Sequence, residues 1–476
     1  MVFSSPVFLF LFLPLTLLFA RLAGHLRAQN TVLLVASLLF YAWGEGVYVL
    51  LMLATVLVNH LCGRAVTRYQ DRRAWVVIAV VLNIGALIWF KYANFLVDSV
   101  NVPLKYAGFP TLELEPVHLP IGVSFFIFQG LSYVIDVYRN QAVAQRNPGP
   151  VALYIALFPQ LIAGPIVRYH DVAEQFTARV MNSERFASGV RRFVVGLAKK
   201  VLIADQVARI TDGVLGISPL DLTPSVAWLG IVAYAIQIYF DFSGYSDMAI
   251  GLGRLFGFEF MENFRRPYIA ASVREFWQRW HISLSTWFRD YLYIPLGGNR
   301  LGPVRTYVNL FIVFFLTGLW HGASWNFVVW GLLHGCMMVL ERIGLGRLLE
   351  KLPRMAGQLY TLIIVLSAWV FFRVEDLGLA WNHLLTMFGA NTGNPVLVQA
   401  ALYVNNATLL ALVLGVLGAL DVHTRLAQWI GVPSTGGSLP GGVRGVLESV
   451  GVLALLVLVC MSVASSTFSP FIYFRF

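Results

Sequence analysis

The sequence predicts an all-α, polytopic transmembrane helical bundle, and two observations lead to this fold class. Of the 476 residues, 58% are hydrophobic and only 12% are charged, whereas an ordinary soluble domain carries roughly 25% charged residues. The apolar residues also fall in repeated long runs, and the mean hydropathy is +0.72. Long runs of this kind are typical of membrane-spanning helices.

A series of apolar runs supplies the candidate spans. One span needs about 20 mostly apolar residues and several runs are shorter, so we expect about nine to twelve true spans with additional re-entrant or interfacial helices. Residues 91–118 are predicted to form an outer loop. The runs lie near residues 5–20, 31–43, 47–62, 75–90, 119–135, 151–167, 193–210, 226–242, 304–320, 325–340, 358–372, 397–419 and 446–466.

The basic residues predict the orientation of these spans. A net charge of +10 would suit a nucleic-acid partner if it formed one patch, but the basic residues lie in short loops between apolar runs. Such loops favour the cytoplasmic side, so the N-terminus is predicted to lie outside. The opening run has no basic residue before it, which favours a retained span over a cleaved signal peptide. The basic residues in question follow the first and third spans: Arg21, Arg27, Arg64, Arg68, Arg72 and Arg73.

No soluble domain can be separated from the chain, so residues 1–476 are predicted to form a single membrane domain. Cys62, Cys336 and Cys460 lie within apolar runs and show no paired spacing. Neither a disulfide framework nor a metal site is therefore indicated. We expect the three cysteines to be buried as small hydrophobic residues.

Residues 273–289 have the pattern of one amphipathic helix. Arginine and other polar residues separate apolar residues that recur at steps of three and four. This pattern favours a helix in the headgroup plane on the cytoplasmic side, with a helix packed under the bundle as the alternative. The apolar residues are Val273, Phe276, Trp277, Trp280, Leu284, Trp287 and Phe288.

Two histidines stand in an uncharged apolar stretch, residues 309–340, which is predicted to make two spans joined near residues 323 and 324. These are His321 in a GLWHG segment and His334 in a GLLHG segment. A histidine at membrane depth is a functional candidate by default, and it can exchange a proton near neutral pH. The G-x-x-x-G spacing indicates close helix approach, so a packing role is the open alternative for each.

Polar residues outside this apolar stretch are further candidates for the site. His281 belongs to the amphipathic segment and lies just off its apolar stripe. Gln237, Asp241 and Tyr245 are spaced to share one helix face, together with Tyr234. They are candidates to line a cavity, and Asp241 is a candidate to orient an imidazole, with a structural hydrogen-bond network as the alternative.

Several motifs resemble those of the membrane-bound O-acyltransferases, and no P-loop, zinc-protease or nucleophile-elbow motif competes with this reading. The motifs are residues 240–253 (FDFSGYSDMAIGLG), 275–293 (EFWQRWHISLSTWFRDYLY) and 318–325 (GLWHGASW). The resemblance runs from the opening residues 1–14, through KYANF at 91–95, to the closing FIYFRF at 471–476. It is closest to the bacterial branch that O-acetylates alginate. That branch also resembles proteins that acetylate cellulose and proteins that pass D-alanine to teichoic acid.

The resemblance implies a bundle with a central tunnel or funnel and a catalytic histidine at His321. His281 matches a second recurrent histidine of the bacterial branch, although many eukaryotic members carry Asn or Asp there. It also implies O-acetylation of an exported polysaccharide, alginate or cellulose, at the bacterial inner membrane. The implied donor is acetyl-coenzyme A, without a metal ion. Arg279, Arg289 and Arg300 are candidates to attract its phosphates.

The implied partners are an extracytoplasmic protein with a nucleophilic serine, which completes the transfer, and a polysaccharide synthase or export complex within the lipid membrane. A transporter or channel for an acyl donor is the leading alternative from another class. It would carry the donor without chemistry of its own, and inverted repeats, which the sequence does not display, would favour it. A structural scaffold for a polysaccharide synthase is a third, weaker hypothesis.

Overall fold

A computed structural model describes residues 1–162, 164–390, 402–420, 422 and 441–465, and within these ranges every regular element is a helix. The predictions that fall near residue 397 and on residues 471–476 lie outside the described part. The α-helices are α1 Leu13–Leu22, α2 Leu26–Glu45, α3 Val49–Arg68, α4 Arg72–Leu87, α5 Ala93–Tyr106, α6 Val123–Tyr138, α7 Pro148–Ala156, α8 Phe158–Leu161, α9 Tyr169–Val172, α10 Ser183–Ala198, α11 Asp205–Leu215, α12 Pro224–Leu255, α13 Val273–Arg279, α14 Ile282–Phe288, α15 Gly302–His321, α16 Trp325–Leu340, α17 Gly346–Lys351, α18 Arg354–Arg373, α19 Leu377–Met387, α20 Asn406–Ala419 and α21 Gly441–Ser465.

The helices confirm an all-α, multi-pass membrane protein. Over the described ranges, seven helical stretches are long and apolar enough to cross a membrane, and three shorter apolar helices accompany them. The longest stretch, Leu26–Arg68, contains α2 and α3, which are interrupted at Gly46. Gly46 has a φ of +54°, which glycine adopts without the steric cost that a side chain adds.

The predicted loop at residues 91–118 is wrong in its first half, because α5 occupies Ala93–Tyr106. Residues 109–119 then run without regular structure. The side chain of Asn94 bonds the backbone N–H and C=O of Val117, and that of Asn101 bonds those of Leu112. Two asparagine side chains of α5 therefore fasten the following segment to the helix.

The chain forms two compact units, one of residues 1–190 and 249–261, the other of residues 191–248 and 262–476. The single-domain prediction stays a prediction. In the first unit, buried Tyr133, Tyr154 and Tyr169 pack edge to face, with ring centroids 4.8 and 5.0 Å apart. An amide pair joins α3 to α4, in which Asn59 and Asn83 each donate to the other at 3.0 and 3.1 Å. All histidines named as candidates lie in the second unit.

The second unit contains α15 and α16, whose bounds confirm two spans joined by a short turn. Their backbones touch. A Cβ added to Gly318 would overlap the carbonyl oxygen of Phe327, and one added to Gly331 would overlap that of Phe314. The close approach expected from the G-x-x-x-G segments is therefore present, and it fixes His321 and His334 on two facing helices.

The amphipathic segment is two helices, α13 and α14, so the prediction of one continuous helix is wrong. The break lies at Trp280, which is extended, and at His281, which has a φ of +44°. Its apolar side faces protein, since Trp280 lies 5.0 Å from Trp369 and Trp277 lies 5.7 Å from Trp330, measured between ring centroids. These contacts favour the alternative of a segment packed under the bundle.

Hydrogen bonds at the start of α13 hold the amphipathic segment in place. Ser272 accepts the backbone N–H of Glu275 at 3.0 Å, and Glu275 accepts that of Ala271 at 2.8 Å. This arrangement is close to a capping box. The carboxylate of Glu341 accepts the N–H groups of Val273 and Arg274 at 2.6 and 3.0 Å, so α13 is tied to the end of α16.

The cysteines differ from expectation in one respect. All three are free thiols, and Cys62 is buried as predicted. Cys336 is exposed on α16 and Cys460 is half-buried on α21, so two of the three do not serve as core residues. Their apolar surroundings still account for their positions, because exposed faces of spanning helices meet lipid.

Candidate active site

His321 is the last residue of α15 and is enclosed by aromatic rings. Its side chain is 2% exposed. The rings of Trp330, Trp320 and Phe372 lie 4.9, 5.0 and 5.1 Å from the imidazole, centroid to centroid. These rings come from α16, α15 and α18. A base in such a setting is shielded from bulk water, which strengthens its interactions with a polar reactant.

His281 is the nearest imidazole, with its centroid 6.4 Å from that of His321. It is fully buried, and burial lowers its pKa to about 3, so the ring is neutral at physiological pH. Its Nδ1 lies 3.2 Å from Oδ1 of Asn263, a buried residue between α12 and α13. The structure therefore brings together the two histidines, among the three candidates, that match the family resemblance, and it adds Asn263.

The backbone of His281 is strained. Among the described non-glycine residues only Asn140, Arg266 and His281 have a positive φ, and this region costs a non-glycine residue roughly 1–2 kcal/mol. His281 also occupies the position before the first residue of α14, where Ser, Thr, Asp and Asn are preferred, and its side chain makes no capping bond. Strain held at a buried polar residue is typical of a functional site.

His334 has a different environment from His321. Nε1 of Trp277 donates a hydrogen bond to its Nδ1 at 3.3 Å, and its ring stacks on Phe276 with centroids 6.2 Å apart. Trp330 lies between the two histidines, 5.0 Å from His334. These contacts fit the packing role that was the alternative for His334.

A cavity of about 880 Å³, which we call the arginine cavity, lies near this site. Its lining contains neither His321 nor His281, but it includes Thr317, which lies four residues before His321 on α15 and about 6 Å from it along the helix axis. Residues four apart share one helix face. The apolar part of the lining is Trp277, Ile282, Phe288, Leu310, Val313, Phe314, Met338 and Leu349.

The charged part of the lining favours an anion. It contains Arg274, Arg289, Arg342 and Arg347 with Glu275, Glu341 and Glu350. Two of these glutamates are already engaged, Glu275 with Arg279 and Arg354 and Glu341 with backbone N–H groups. Arg289 pairs with Asp290 at 2.7 Å. Arg274, Arg342 and Arg347 form no ion pair with any carboxylate of the described residues.

The arginines proposed from sequence fit this cavity unequally. Arg289 lines it, whereas Arg279 is bonded to Glu275 at 2.9 Å and to the carbonyl of Arg265. Arg300 is exposed and is not part of the lining. Sequence reasoning missed Arg342 and Arg347, because they follow α16 by a few residues and nothing local connects them to residues 274–289.

Asp241 is part of a buried ion cluster. Nζ of Lys200 lies 2.9 Å from Oδ1 of Asp241 and 2.7 Å from Oδ1 of Asp205. Tyr245 is buried on the same helix and Gln237 is half-buried. The lining of the arginine cavity includes neither of them, nor Asp241. A tunnel-lining role for these three residues stays a prediction, and the residue that holds an imidazole is Asn263.

The arrangement supplies a shielded base, a second neutral imidazole and a cationic cavity that reaches the same helix face. Together these can bind an anionic donor and accept a proton from an alcohol. Within the described residues, no group of three or more His, Cys, Asp or Glu side chains is placed to hold a metal ion.

Comparison with known proteins gives consistent similarities. The model of MBOAT, the membrane-bound O-acyltransferase family, matches residues 36–374. A probable alginate O-acetylase of Azotobacter vinelandii is 42% identical over 100% of both chains. One of Pseudomonas aeruginosa is 46% identical over 82% of this chain and 76% of its own. A peptidoglycan O-acetyltransferase of Helicobacter pylori is 35% identical over 82% of this chain and 80% of its own.

Proposed function

This chain belongs to the membrane-bound O-acyltransferase family and is an O-acyltransferase, and we propose that it moves acetyl groups from a cytoplasmic thioester towards an exported polysaccharide. The single observation that carries this proposal is His321, a buried imidazole beside a second one and close to a cationic cavity. Among polysaccharides, the relatives' names favour alginate, and they give no support to cellulose. A transporter without chemistry of its own does not fit this family.

The proposed reaction is a base-assisted acyl transfer. His321 takes the proton of the acceptor hydroxyl while the oxygen attacks the thioester carbon. The carbon–sulfur bond then breaks, and the imidazolium returns the proton to the departing thiolate. Proton transfer by a positioned side chain contributes typically 10²–10⁴-fold to a rate, and holding both reactants in a confined space supplies a further part.

The proposed donor is acetyl-coenzyme A, bound in the arginine cavity. Its phosphates would meet Arg274, Arg342 and Arg347, none of which forms an ion pair with a carboxylate of the described chain. Its thioester would extend past Phe314 and Thr317 towards His321. Arginine suits this task because its planar donors match phosphate oxygens.

The cavity side is proposed to face the cytoplasm of a bacterium, with the N-terminus outside and the chain in the inner membrane. Support comes from the residues around the cavity, since Arg342 and Arg347 lie between α16 and α18 and Arg354 begins α18. Short basic connections favour the cytoplasmic side. Gln278 lines the cavity and Gln70 precedes α4, so both are expected on that side.

Kinetics with truncated donors test the cavity. We expect the double variant R342A/R347A to raise the KM for acetyl-coenzyme A at least tenfold, because charge-assisted hydrogen bonds are worth about 1.5–3 kcal/mol each. It should leave the KM for acetyl-pantetheine, which lacks phosphate, unchanged. R305A, which removes an exposed arginine outside the lining, is the matched control. Equal losses with both donors would contradict a phosphate role.

Cysteine labelling tests the orientation. In a chain with Cys62, Cys336 and Cys460 replaced, a cysteine at position 278 or 70 should react with an impermeant maleimide only after the cytoplasmic side is opened. Acetyl-coenzyme A should protect position 278 and not position 70. Labelling of position 278 in intact cells would overturn the proposed donor side.

We propose that a partner completes the transfer outside. His321 is 2% exposed within an aromatic enclosure, which a polymer would reach poorly. An extracytoplasmic protein with a nucleophilic serine would accept the acetyl group within a synthase and export complex. With radiolabelled acetyl-coenzyme A, the purified chain should label that partner and do little alone. Efficient acetylation of long polymer by the chain alone would refute the relay and leave the acyltransferase assignment intact.

A further inference from the structure

Asn263 contacts the second histidine in a way that determines which ring nitrogen carries the proton. Its Oδ1 accepts the backbone N–H of Ser283 at 3.1 Å and the Ser283 hydroxyl at 2.9 Å. The same oxygen lies 3.2 Å from Nδ1 of His281. Its Nδ2 donates to the hydroxyl of Ser246 at 3.1 Å. The four groups are buried together in the second unit.

The orientation of the Asn263 amide follows from its partners. A backbone N–H can only donate, so the atom that faces the nitrogen of Ser283 must be the amide oxygen. Because that oxygen cannot donate, Nδ1 of His281 carries the hydrogen in their contact. The Ser283 hydroxyl also lies 3.4 Å from Nδ1, but its one hydrogen is already donated to Asn263. A neutral imidazole has one protonated nitrogen, so Nε2 of His281 is left with a lone pair.

The local backbone indicates that the contact between Asn263 and His281 does more than cap a helix. Asn263 does cap α14, because its carbonyl accepts the N–H of Ile282 at 2.9 Å and its side chain accepts that of Ser283. A cap supplied from a distant segment removes the need for a capping side chain at position 281. The chain nevertheless places a strained histidine there, with its ring 6.4 Å from that of His321.

We propose that Asn263 is a positioning residue for acyl transfer: it holds His281 with Nδ1 protonated, so that Nε2 can accept a proton or hydrogen bond beside His321 but cannot donate one. The proposal rests on the proposed function for its kinetic consequence only. The hydroxyl proton still passes to an imidazole and then to the thiolate, and no bond to the acyl group is made by Asn263.

The tautomer is measured without substrate. In protein labelled with ¹⁵N-histidine, a difference spectrum against H281Q isolates the two ring nitrogens of His281. We expect the wild-type ring to be neutral with the proton on Nδ1. N263D, which keeps an acceptor oxygen, should preserve this tautomer, and N263L, which removes the acceptor at similar volume, should lose it. A wild-type proton on Nε2 would overturn the proposal whatever the protein acetylates.

Kinetics separate positioning from simple stability, with turnover measured as thioester cleavage. The carboxylate of N263D should favour the charged form of His281, so that the acid limb of the pH–rate profile moves upward by about one pH unit or more. N263L should lower kcat at least tenfold with KM retained. If N263L fails to fold, the N263D profile and the wild-type spectrum still decide.

The matched control is N101D. Asn101 accepts the backbone N–H of Leu112 through Oδ1 at 2.7 Å, so the same substitution is made at an amide that contacts no imidazole. Its acid limb should coincide with that of the wild type. An unshifted acid limb in N263D, or N263L with wild-type kcat and pH profile, would show that Asn263 only caps α14.

Discussion

Replacing His321 with alanine removes the group on which the proposed chemistry depends, and replacing His334 with alanine provides a matched comparison. Both histidines are buried in the same pair of helices. Trp330 contacts both rings, with centroids 4.9 and 5.0 Å away. The two variants therefore remove the same side chain from similar surroundings, and only H321A removes the proposed base.

The expected loss of stability is similar in the two variants. His321 contacts three aromatic rings at 4.9–5.1 Å, and such pairs are worth roughly 0.5–1.5 kcal/mol each, so about 2–4 kcal/mol is at stake. His334 contacts four rings and accepts the Trp277 N–H, which adds about 1 kcal/mol. H334A should therefore unfold at least as readily as H321A.

The expected loss of activity differs between H321A and H334A. Without a general base, H321A should lose about 10²–10⁴-fold in turnover, or about 3–5 kcal/mol of transition-state stabilisation. H334A should keep turnover within tenfold of the wild type. Yield and thermal unfolding in detergent are measured beside acetylation of the polymer and cleavage of the thioester. Normal acetylation by H321A, or equal inactivation of both variants, would refute the assignment of the base.

Two further substitutions test other parts of the second unit. K200M leaves Asp241 and Asp205 without their shared cation. Because breaking a buried pair costs about 3–5 kcal/mol, the thermal unfolding temperature should fall markedly, and adding D241L should restore part of it. A loss of stability below about 1 kcal/mol would contradict the role of this cluster. F372A removes a ring 5.1 Å from His321. In a series of acyl donors, it should raise the rate of butyryl transfer relative to acetyl transfer at least tenfold. An unchanged preference would show that Phe372 does not limit acyl length.

Part of this site could be predicted from the sequence because its signals are local. Two apolar runs with one histidine each, separated by a short polar turn, define α15 and α16 within a few residues. The glycines at 318 and 331 indicate that the helices approach closely, and the structure confirms both inferences. Local periodicity is sufficient in these cases because each helix satisfies its own backbone hydrogen bonds.

The remaining features depend on contacts between distant segments. Apolar spacing continues across residues 273–288, so it cannot reveal the break at His281, which is stabilised by Asn263 from 18 residues earlier. The arginine cavity combines Arg274 and Arg289 with Arg342 and Arg347 from another helix connection. Periodicity carries no information about such pairings, and for the same reason the partner of Asp241 was not foreseen.

The contact between Gly318 and Gly331 limits how the protein can open to admit reactants. The carbonyl oxygens of Phe327 and Phe314 already meet these glycines, so α15 and α16 cannot move closer, and separating them would expose packed backbone. The two seven-residue helices on either side of His281 share no such contact, but Glu341 ties α13 to the end of α16 and Asn263 caps α14. The four helices are therefore expected to move as one body when donor binds. Spin labels on α15 and α16, and on α13 and α16, should each report one fixed distance with and without donor, and a change in either distance would contradict this expectation.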